Sequence, residues 1–325
     1  MEKYLDKERH QLLASVSSLY YNHGMTQSQI AARFYTSRSK ISRLLQEARD
    51  LGVVKISIYE PWNRDTDLEE RLKERFSLKD ARILSFSEEA SNEEILKKLG
   101  EAAAYYLDGV VDARTILGIS WGYTVYQTVS AINSQKNIPF NVVPIMGAAT
   151  TKNPEKDSMD LAKQLAMAYG AKCHYIYAPL FVGNETVKKE LVSDRQIKAS
   201  LSLAERANVI LTSVGSIQYR SWKHFITMED MAVLQRAGAI GHIGGHFYDI
   251  YGNEVITPLT RCLIAVSMAG LQKCRNLICV AGLLEKAEAI LGALNGRLVN
   301  TLIIDRETAV RILEQDTKYQ EARIS

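Results

Sequence analysis

Cysteine is scarce and irregularly placed. Four residues, Cys173, Cys262, Cys274 and Cys279, are spread over the second half of a 325-residue chain. That is no disulfide framework, and it is expected of reduced, mostly buried thiols in a cytoplasmic protein. No apolar run is long enough to span a bilayer, and no segment resembles a signal peptide. Nor is there a general excess of one charge: 40 basic residues face 37 acidic ones, a formal net charge of +3. A protein coated in nucleic acid would be far more basic. Internal repeats and low-complexity tracts are absent too. One local absence is more telling. Between Thr26 and Arg43 there are basic residues and not one acid. Basicity is therefore concentrated in a short N-terminal segment, as suits one small DNA-reading module on a near-neutral protein.

That segment, TQSQIAARFYTSRSKISRLLQEA (Thr26–Ala48), reads as two short helices joined by a tight turn. Ile30, Ala31 and Phe34 share one face of the first; Ile41, Leu44, Leu45 and Ala48 recur at i, i+3, i+4 and i+7 in the second. Thr36 or Ser37 can cap the second helix by accepting from its free N–H groups. Arg38, Ser39, Ser42 and Arg43 project from the side opposite the apolar stripe, with Lys40 at its flank. A short helix offering Arg and Ser from its first turns is what the major groove requires. A solvated helix pair is the plainer alternative; the turn spacing, the cap and the missing acids favour DNA. Thr26, Gln27 and Ser37, at the helix starts, join the candidate contacts. Leu5–Tyr21, apolar at helical spacing, supplies the first helix of a three-helix unit. Leu51-Gly52 provides a stop, and Val53–Tyr59 then alternates as a short strand, the wing of a winged helix with Lys55 near the phosphates. The expected domains are a winged helix-turn-helix over residues 1–59, a linker over 60–67 (EPWNRDTD), and an effector and oligomerisation domain over 68–325.

Beyond the linker, strands and helices alternate. Strands are predicted at Ala81–Phe86, Arg114–Ile119, Phe140–Met146, Lys172–Tyr177, Ala207–Ser213, Leu263–Ser267, Leu277–Ala281 and Leu298–Ile304. Helices are predicted at Asn92–Leu107, Tyr123–Ile132 and Lys156–Tyr169. The pattern implies an α/β fold with a largely parallel sheet covered on both faces.

Four stretches could carry chemistry. Gly118–Thr124, GISWGYT, sits at a strand-to-helix junction, where Gly118 and Gly122 allow a sharp turn and Ser120 and Thr124 offer hydroxyls. The helix N-terminus aims its amides into the same space, a site for a phosphate monoester; a Gly-rich turn with no ligand is the alternative. These residues also satisfy G-x-S-x-G, the nucleophile elbow of serine hydrolases. Only one strand of the domain precedes Ser120, no oxyanion loop does, and no acid stands out beside His224, His242 and His246, so that reading is rejected. In Ala239–Asn253, AIGHIGGHFYDIYGN, His242 and His246 are four apart, but the glycines argue against the helix a zinc pair would need. Asp249, among Phe247, Tyr248 and Tyr251, is either a turn cap or a hydroxyl-binding group. In Val280–Leu294, Lys286 would lie within two turns of a helix start near the sheet's C-terminal edge, where open α/β folds bind ligands; a surface lysine is the plainer reading. Glu155, Asp157 and Asp160 open a helix, which the helix dipole alone explains.

Taken together, the three-helix unit, GISWGYT, ERANVILTSVGSI (Glu205–Ile217), HFYDIYGN and GALNGRLVNTLIIDRETA (Gly292–Ala309) closely resemble the SorC family of bacterial sugar-responsive transcription regulators. The resemblance spans nearly the whole chain. It implies an effector domain like the sugar-phosphate isomerase fold, with the loop matching Ser120–Thr124 holding the ligand phosphate. Ser120, Gly122, Tyr123, Thr124, Gly147, Gly215, Asp249 and Lys286 are then the expected effector contacts. Three departures stand out: Gly241-His242-Ile243 where many members have Gly-Asp-Ile, Ala281-Gly282-Leu283 where many have Ala-Gly-Gly, and Met146 where one member type carries a Schiff-base lysine. The last implies a ligand held non-covalently.

The expectation is therefore a DNA-binding regulator, a repressor, of a carbohydrate-utilisation operon, responsive to a phosphorylated sugar. It would be a homo-oligomer, dimer or tetramer, acting without cofactor, metal or membrane. The competing expectation is a sugar-phosphate isomerase or deaminase with an added DNA-binding arm, but no acid–base pair suited to isomerisation can be nominated. A third is a constitutive DNA-binding oligomer with a vestigial pocket.

Overall fold

The computed structural model describes residues 7–21, 23–54, 62–133, 137–149, 156–218 and 226–324. The chain divides into two compact units, residues 1–61 and 62–325.

The first unit is built from α1 (Lys7–Tyr21), α2 (Gln27–Arg33) and α3 (Arg38–Asp50). Thr26 caps α2 in a capping box with Gln29, and Ser37 caps α3 by accepting from Lys40 N at 3.2 Å. Of the two capping candidates for α3, Ser37 is the one used. Leu13 and Val16 of α1 close over Ile30, Ala31, Ile41, Leu44, Leu45 and Ala48, all buried. The expected apolar stripe is thus the core, held by roughly 1.5–3 kcal/mol per fully buried large side chain. Gly52, at φ +70°, follows α3 as anticipated. The expected wing falls mostly on residues 55–59, Lys55 included, and lies outside the described residues.

The second unit begins earlier than expected. Residues 62–67, assigned to a linker, are structured: Trp62 packs on the core, Arg64 bridges to Leu84, and Asp65 caps α4 (Thr66–Phe76) through Leu68 N. The main sheet comprises β1 (Asp80–Leu84), β2 (Ile116–Ile119), β3 (Asn141–Pro144), β4 (Lys172–Cys173), β5 (Val209–Thr212), β9 (Asn276–Val280) and β10 (Thr301–Asp305). Their order is β1-β10-β9-β5-β2-β3-β4, and all pairs are parallel. Between β5 and β9 lie β6 (Val214–Ser216), β7 (Gly241–Ile243) and β8 (His246–Tyr248), which form a separate antiparallel sheet. The remaining helices are α5 (Asn92–Val110), α6 (Tyr123–Ala131), α7 (Ser158–Tyr169), α8 (Glu185–Ser193), α9 (Arg195–Ala204), α10 (Met228–Arg236), α11 (Pro258–Arg261), α12 (Met268–Lys273), α13 (Ala287–Asn295) and α14 (Arg306–Ile324).

Parallel strands covered on both faces should be apolar throughout. Accordingly β5, β9 and β10 are buried at every residue, and two hydrophobic clusters lie against the sheet. One predicted strand is not formed. Leu263–Ser267 makes only isolated bridges, Leu263 with Phe181 and Ala265 with Met146, because two different segments border it in place of one continuous neighbour. No described helix is long and apolar enough to cross a membrane.

Strand order locates the site. From β2 the chain steps to β3 and β4 on one side; from β5, which pairs with the other edge of β2, it steps to β9 and β10. The order reverses between β2 and β5, and open α/β sheets bind ligands beyond the strand C-termini at such a reversal.

Candidate effector and DNA sites

A cleft opens at that reversal, with about 650 Å³ of free space including its mouth, a size common for small-molecule sites. The turn after β2 supplies Ser120, Trp121, Gly122 and Tyr123; the segment after β5 supplies Ser213 to Ser216; Met146 follows β3. His242 of β7, the Gly244-Gly245 hairpin turn and Lys286 complete the wall. No acidic side chain is among these described lining residues.

Gly122 is the N-cap of α6, and its φ of +143° is one that L side chains rarely adopt. No side chain caps this helix and its first turn carries no acid, so its free amides remain available to an anion. Ser120 is anchored from β5: its N donates to Leu211 O at 3.1 Å, and its hydroxyl accepts from Thr212 Oγ1 at 3.0 Å. The same hydroxyl donates to Trp121 O at 3.3 Å.

Lys286 closes a 3₁₀ turn (Leu284–Lys286) and is the N-cap of α13. It stands at the helix start rather than within the helix, as a half-buried member of the cleft wall and not a surface lysine. Burial lowers its pKa, and among the described residues it forms no ion pair. The same desolvation, reinforced by Lys286 nearby, pushes His242 down to about 3, so the imidazole is neutral at physiological pH. Its ring lies against Gly215, where an added Cβ would stand 2.0 Å from Nε2. Behind the wall, Tyr248 donates to Ala289 O at 2.8 Å and ties the hairpin to α13.

Ser120, Gly122, Tyr123, Gly215 and Lys286, all expected, thus meet in one cleft. Three expected contacts do not line it. Thr124 is buried and donates to Val280 O at 2.8 Å, with Ser213 Oγ at 3.0 Å, so its hydroxyl locks α6 to β9. Gly147 is a packing position, where a Cβ would meet Pro179 O at 2.4 Å. Asp249 is the turn cap: it accepts from Tyr251 N and Asn253 N, both at 2.9 Å, and from Asn253 Nδ2 at 3.0 Å. Sequence reasoning missed Trp121, Ser213, Val214, Ser216, Gly244 and Gly245 as lining residues. Ser213 ends a predicted strand and Val214–Ser216 follow it, and that position was the available signal. No group of His, Cys, Asp and Glu able to hold a metal occurs among the described residues.

In the first unit, Arg38, Ser39, Lys40, Ser42 and Arg43 are all exposed along α3, opposite its buried stripe. Thr26 and Ser37 are exposed too but already serve as caps, and Gln27 is half-buried. Ser37 Oγ lies 3.0 Å from Ser39 Oγ. Arg9 pairs with Glu47 on the flank, which keeps that acid's charge matched.

The comparisons with known proteins agree with this organisation. Residues 60–314 match the family model described as "Putative sugar-binding domain". The sorbitol operon regulator of Klebsiella pneumoniae is 32% identical over 308 residues, covering 93% of this chain and 98% of that protein. The deoxyribonucleoside regulator of Bacillus subtilis is 30% identical over 308 residues, covering 94% and 98%. The crystal structure of the full-length sorbitol operon regulator SorC from Klebsiella pneumoniae superposes with a TM-score of 0.74, over 95% of this chain and 99% of that one. These relatives are named as regulators, and each match covers nearly the whole of both chains. The chain belongs to the SorC family of transcriptional regulators, whose sugar-binding domain it carries.

Proposed function

We propose that this regulator controls a carbohydrate-utilisation operon, as a repressor, through non-covalent binding of a phosphorylated sugar in the cleft between β2 and β5. The supporting observation is the acid-free cleft that joins the uncapped N-terminus of α6 to the desolvated Lys286. Helix amides and an ammonium favour a phosphate, and the absence of a carboxylate removes repulsion. Ser120, Gly122 and Tyr123 form the phosphate turn, Gly215 and Lys286 face it, Thr124 and Gly147 support the walls from behind, and Asp249 closes its own loop. Met146, buried in the wall where a Schiff-base lysine is known in one member type, cannot form that bond. Operator DNA is read by Arg38, Ser39, Lys40, Ser42 and Arg43, with Thr26, Gln27 and Ser37 at the helix starts and Lys55 from the segment beyond α3. The protein acts as a homo-oligomer, dimer or tetramer, so that paired recognition helices meet paired half-sites.

A thermal-shift screen of phosphorylated sugars tests the reading. A ligand at a hundred times its dissociation constant adds about 2.7 kcal/mol to stability. The same compound should release the protein from its operator in a gel-shift assay. A screen in which unphosphorylated sugars stabilise as well as phosphorylated ones would refute the phosphate site.

A further inference from the structure

One aromatic side chain of the first unit serves neither its core nor the turn it sits in. Tyr35 lies between α2 and α3, and its backbone holds φ at +50°, in the left-handed region. That region crowds the Cβ of an L residue against a carbonyl oxygen, and glycine is its ordinary occupant. Burial does not offset the strain, because Tyr35 is 98% exposed. Its backbone N donates to Ala32 O at 3.3 Å. Among the described residues its ring makes no aromatic contact and its hydroxyl has no hydrogen-bond partner. A strained backbone that persists with no packing in return points to a role outside the module.

Its surroundings indicate the partner. No acid occurs between Thr26 and Arg43, and Arg33 and Arg38, which flank the turn, are both exposed. Phe34 and Thr36, the immediate neighbours, are half-buried, so Tyr35 projects from the tip by itself. Where the first residues of α3 enter a major groove, the turn ahead of them comes to the groove's rim, and phosphates line that rim. A phenol offers a phosphate oxygen an O–H donor on a rigid arm. Being neutral, it adds no charge to the basic residues around it.

We infer that Tyr35 is a positioning residue for operator DNA, its phenolic hydroxyl donating to a backbone phosphate at the edge of the groove that α3 enters. The contact fixes how α3 is seated and carries no sequence information of its own. The left-handed φ then has a role, which is to hold the side chain out from the helix pair. The inference rests on the proposed reading of α3 as the recognition helix and adds to it a residue from outside that helix.

The test uses the full-length protein and two duplexes, one enriched from a random pool by the wild-type protein and one with that sequence scrambled. Tyr35→Phe, which keeps the ring and the strained turn, should bind both about tenfold more weakly, the scale of a hydrogen bond to a charged group. The slope of log affinity against log salt should stay at the wild-type value, since a neutral hydroxyl displaces no counterion. Tyr35→Gly should lose at least as much affinity, while hydrogen exchange at the α2 and α3 amides slows, because glycine relieves the φ of +50°. A purely structural role for Tyr35 predicts faster exchange alongside weaker binding, and that result overturns the inference. So does a shallower salt slope in Tyr35→Phe, the mark of a lost ionic contact, or a loss confined to the enriched duplex, which would make Tyr35 a base reader. If Tyr35→Phe binds both duplexes as wild type does while Arg38→Ala and Arg43→Ala lose discrimination, the inference fails and the α3 reading stands. If all three variants bind as wild type does, both fail.

Discussion

Thr124 donates its hydroxyl proton to the Val280 carbonyl, so a change there tests the fold before it tests the ligand. Thr124→Val keeps the shape and leaves that buried carbonyl without its donor. It should cost about 1–3 kcal/mol, seen as a lower denaturant midpoint with an unchanged slope. An unchanged midpoint would show that the bond contributes nothing. His246 makes a second residue-scale link. Its Nε2 donates to Val266 O at 2.8 Å and its Nδ1 meets Glu254 Oε1 at 2.5 Å, which joins the hairpin beside the cleft to the segment after α11. That hydrogen bond holds the Glu254 carboxyl below the usual carboxylate range. A depressed acid stabilises the fold above its unfolded value, about 4.3, and the gain is lost as pH falls through its lower native value. Glu254→Gln should therefore melt below wild type at pH 7, and the gap should close as pH falls under about 4. A gap that stays constant from pH 7 to pH 3 would place the effect elsewhere.

At the scale of elements, legibility followed burial. The strands β5, β9 and β10 read as continuous apolar runs because both faces are covered, and the stripe on α3 read at its helical period because one face is. The small sheet was not legible: β6, β7 and β8 have three residues each, too few for a period, and β6 and β7 each contain a glycine. Helices α8 and α9 escaped because they bury little, α8 having no fully buried residue. α4 was hidden by its neighbours, since the polar EPWNRDTD stretch looks like a linker although Asp65 is a helix cap. The site followed the same rule. Ser120, Gly122 and Tyr123 read as neighbours in one turn because turn chemistry is local, whereas the sequence left Asp249 between turn cap and hydroxyl binder, and only the fold shows its carboxylate closing its own loop. The α3 surface gives the element-scale prediction. Arg38→Ala or Arg43→Ala should lose roughly 1–3 kcal/mol of operator discrimination where the arginine makes a bidentate contact to guanine. Competition binding with operator and scrambled duplexes measures it, and equal retention on both would remove α3 as the reader.

For the whole molecule, the proposed homo-oligomer would link effector and operator, because a two-fold operator needs two recognition helices at fixed spacing. On that proposal, a ligand that favours one arrangement of the cleft walls favours one arrangement of the subunits. The coupling is reciprocal and typically about 1–3 kcal/mol: operator DNA should weaken effector binding by the factor that effector weakens DNA binding. Sedimentation at micromolar concentration should show a dimer or larger species, and titrations with and without operator should give the same factor. A monomer that still binds operator with full affinity would break the scheme.

The strand order also says something about how the protein is made. β10 lies between β1 and β9, so the segment synthesised after every other strand of the sheet becomes an interior one. Among the described strands β1, at residues 80–84, pairs with β10 alone and waits for residues 301–305 before it can join the sheet. The helices around α3 close over contacts made within the first 54 residues, so they can be complete while the larger unit is still an open sheet on the ribosome. A stop codon shortly before β10 would therefore not trim a tail. It would release a finished DNA-reading module attached to an effector unit whose sheet has lost the strand that holds β1 to the rest.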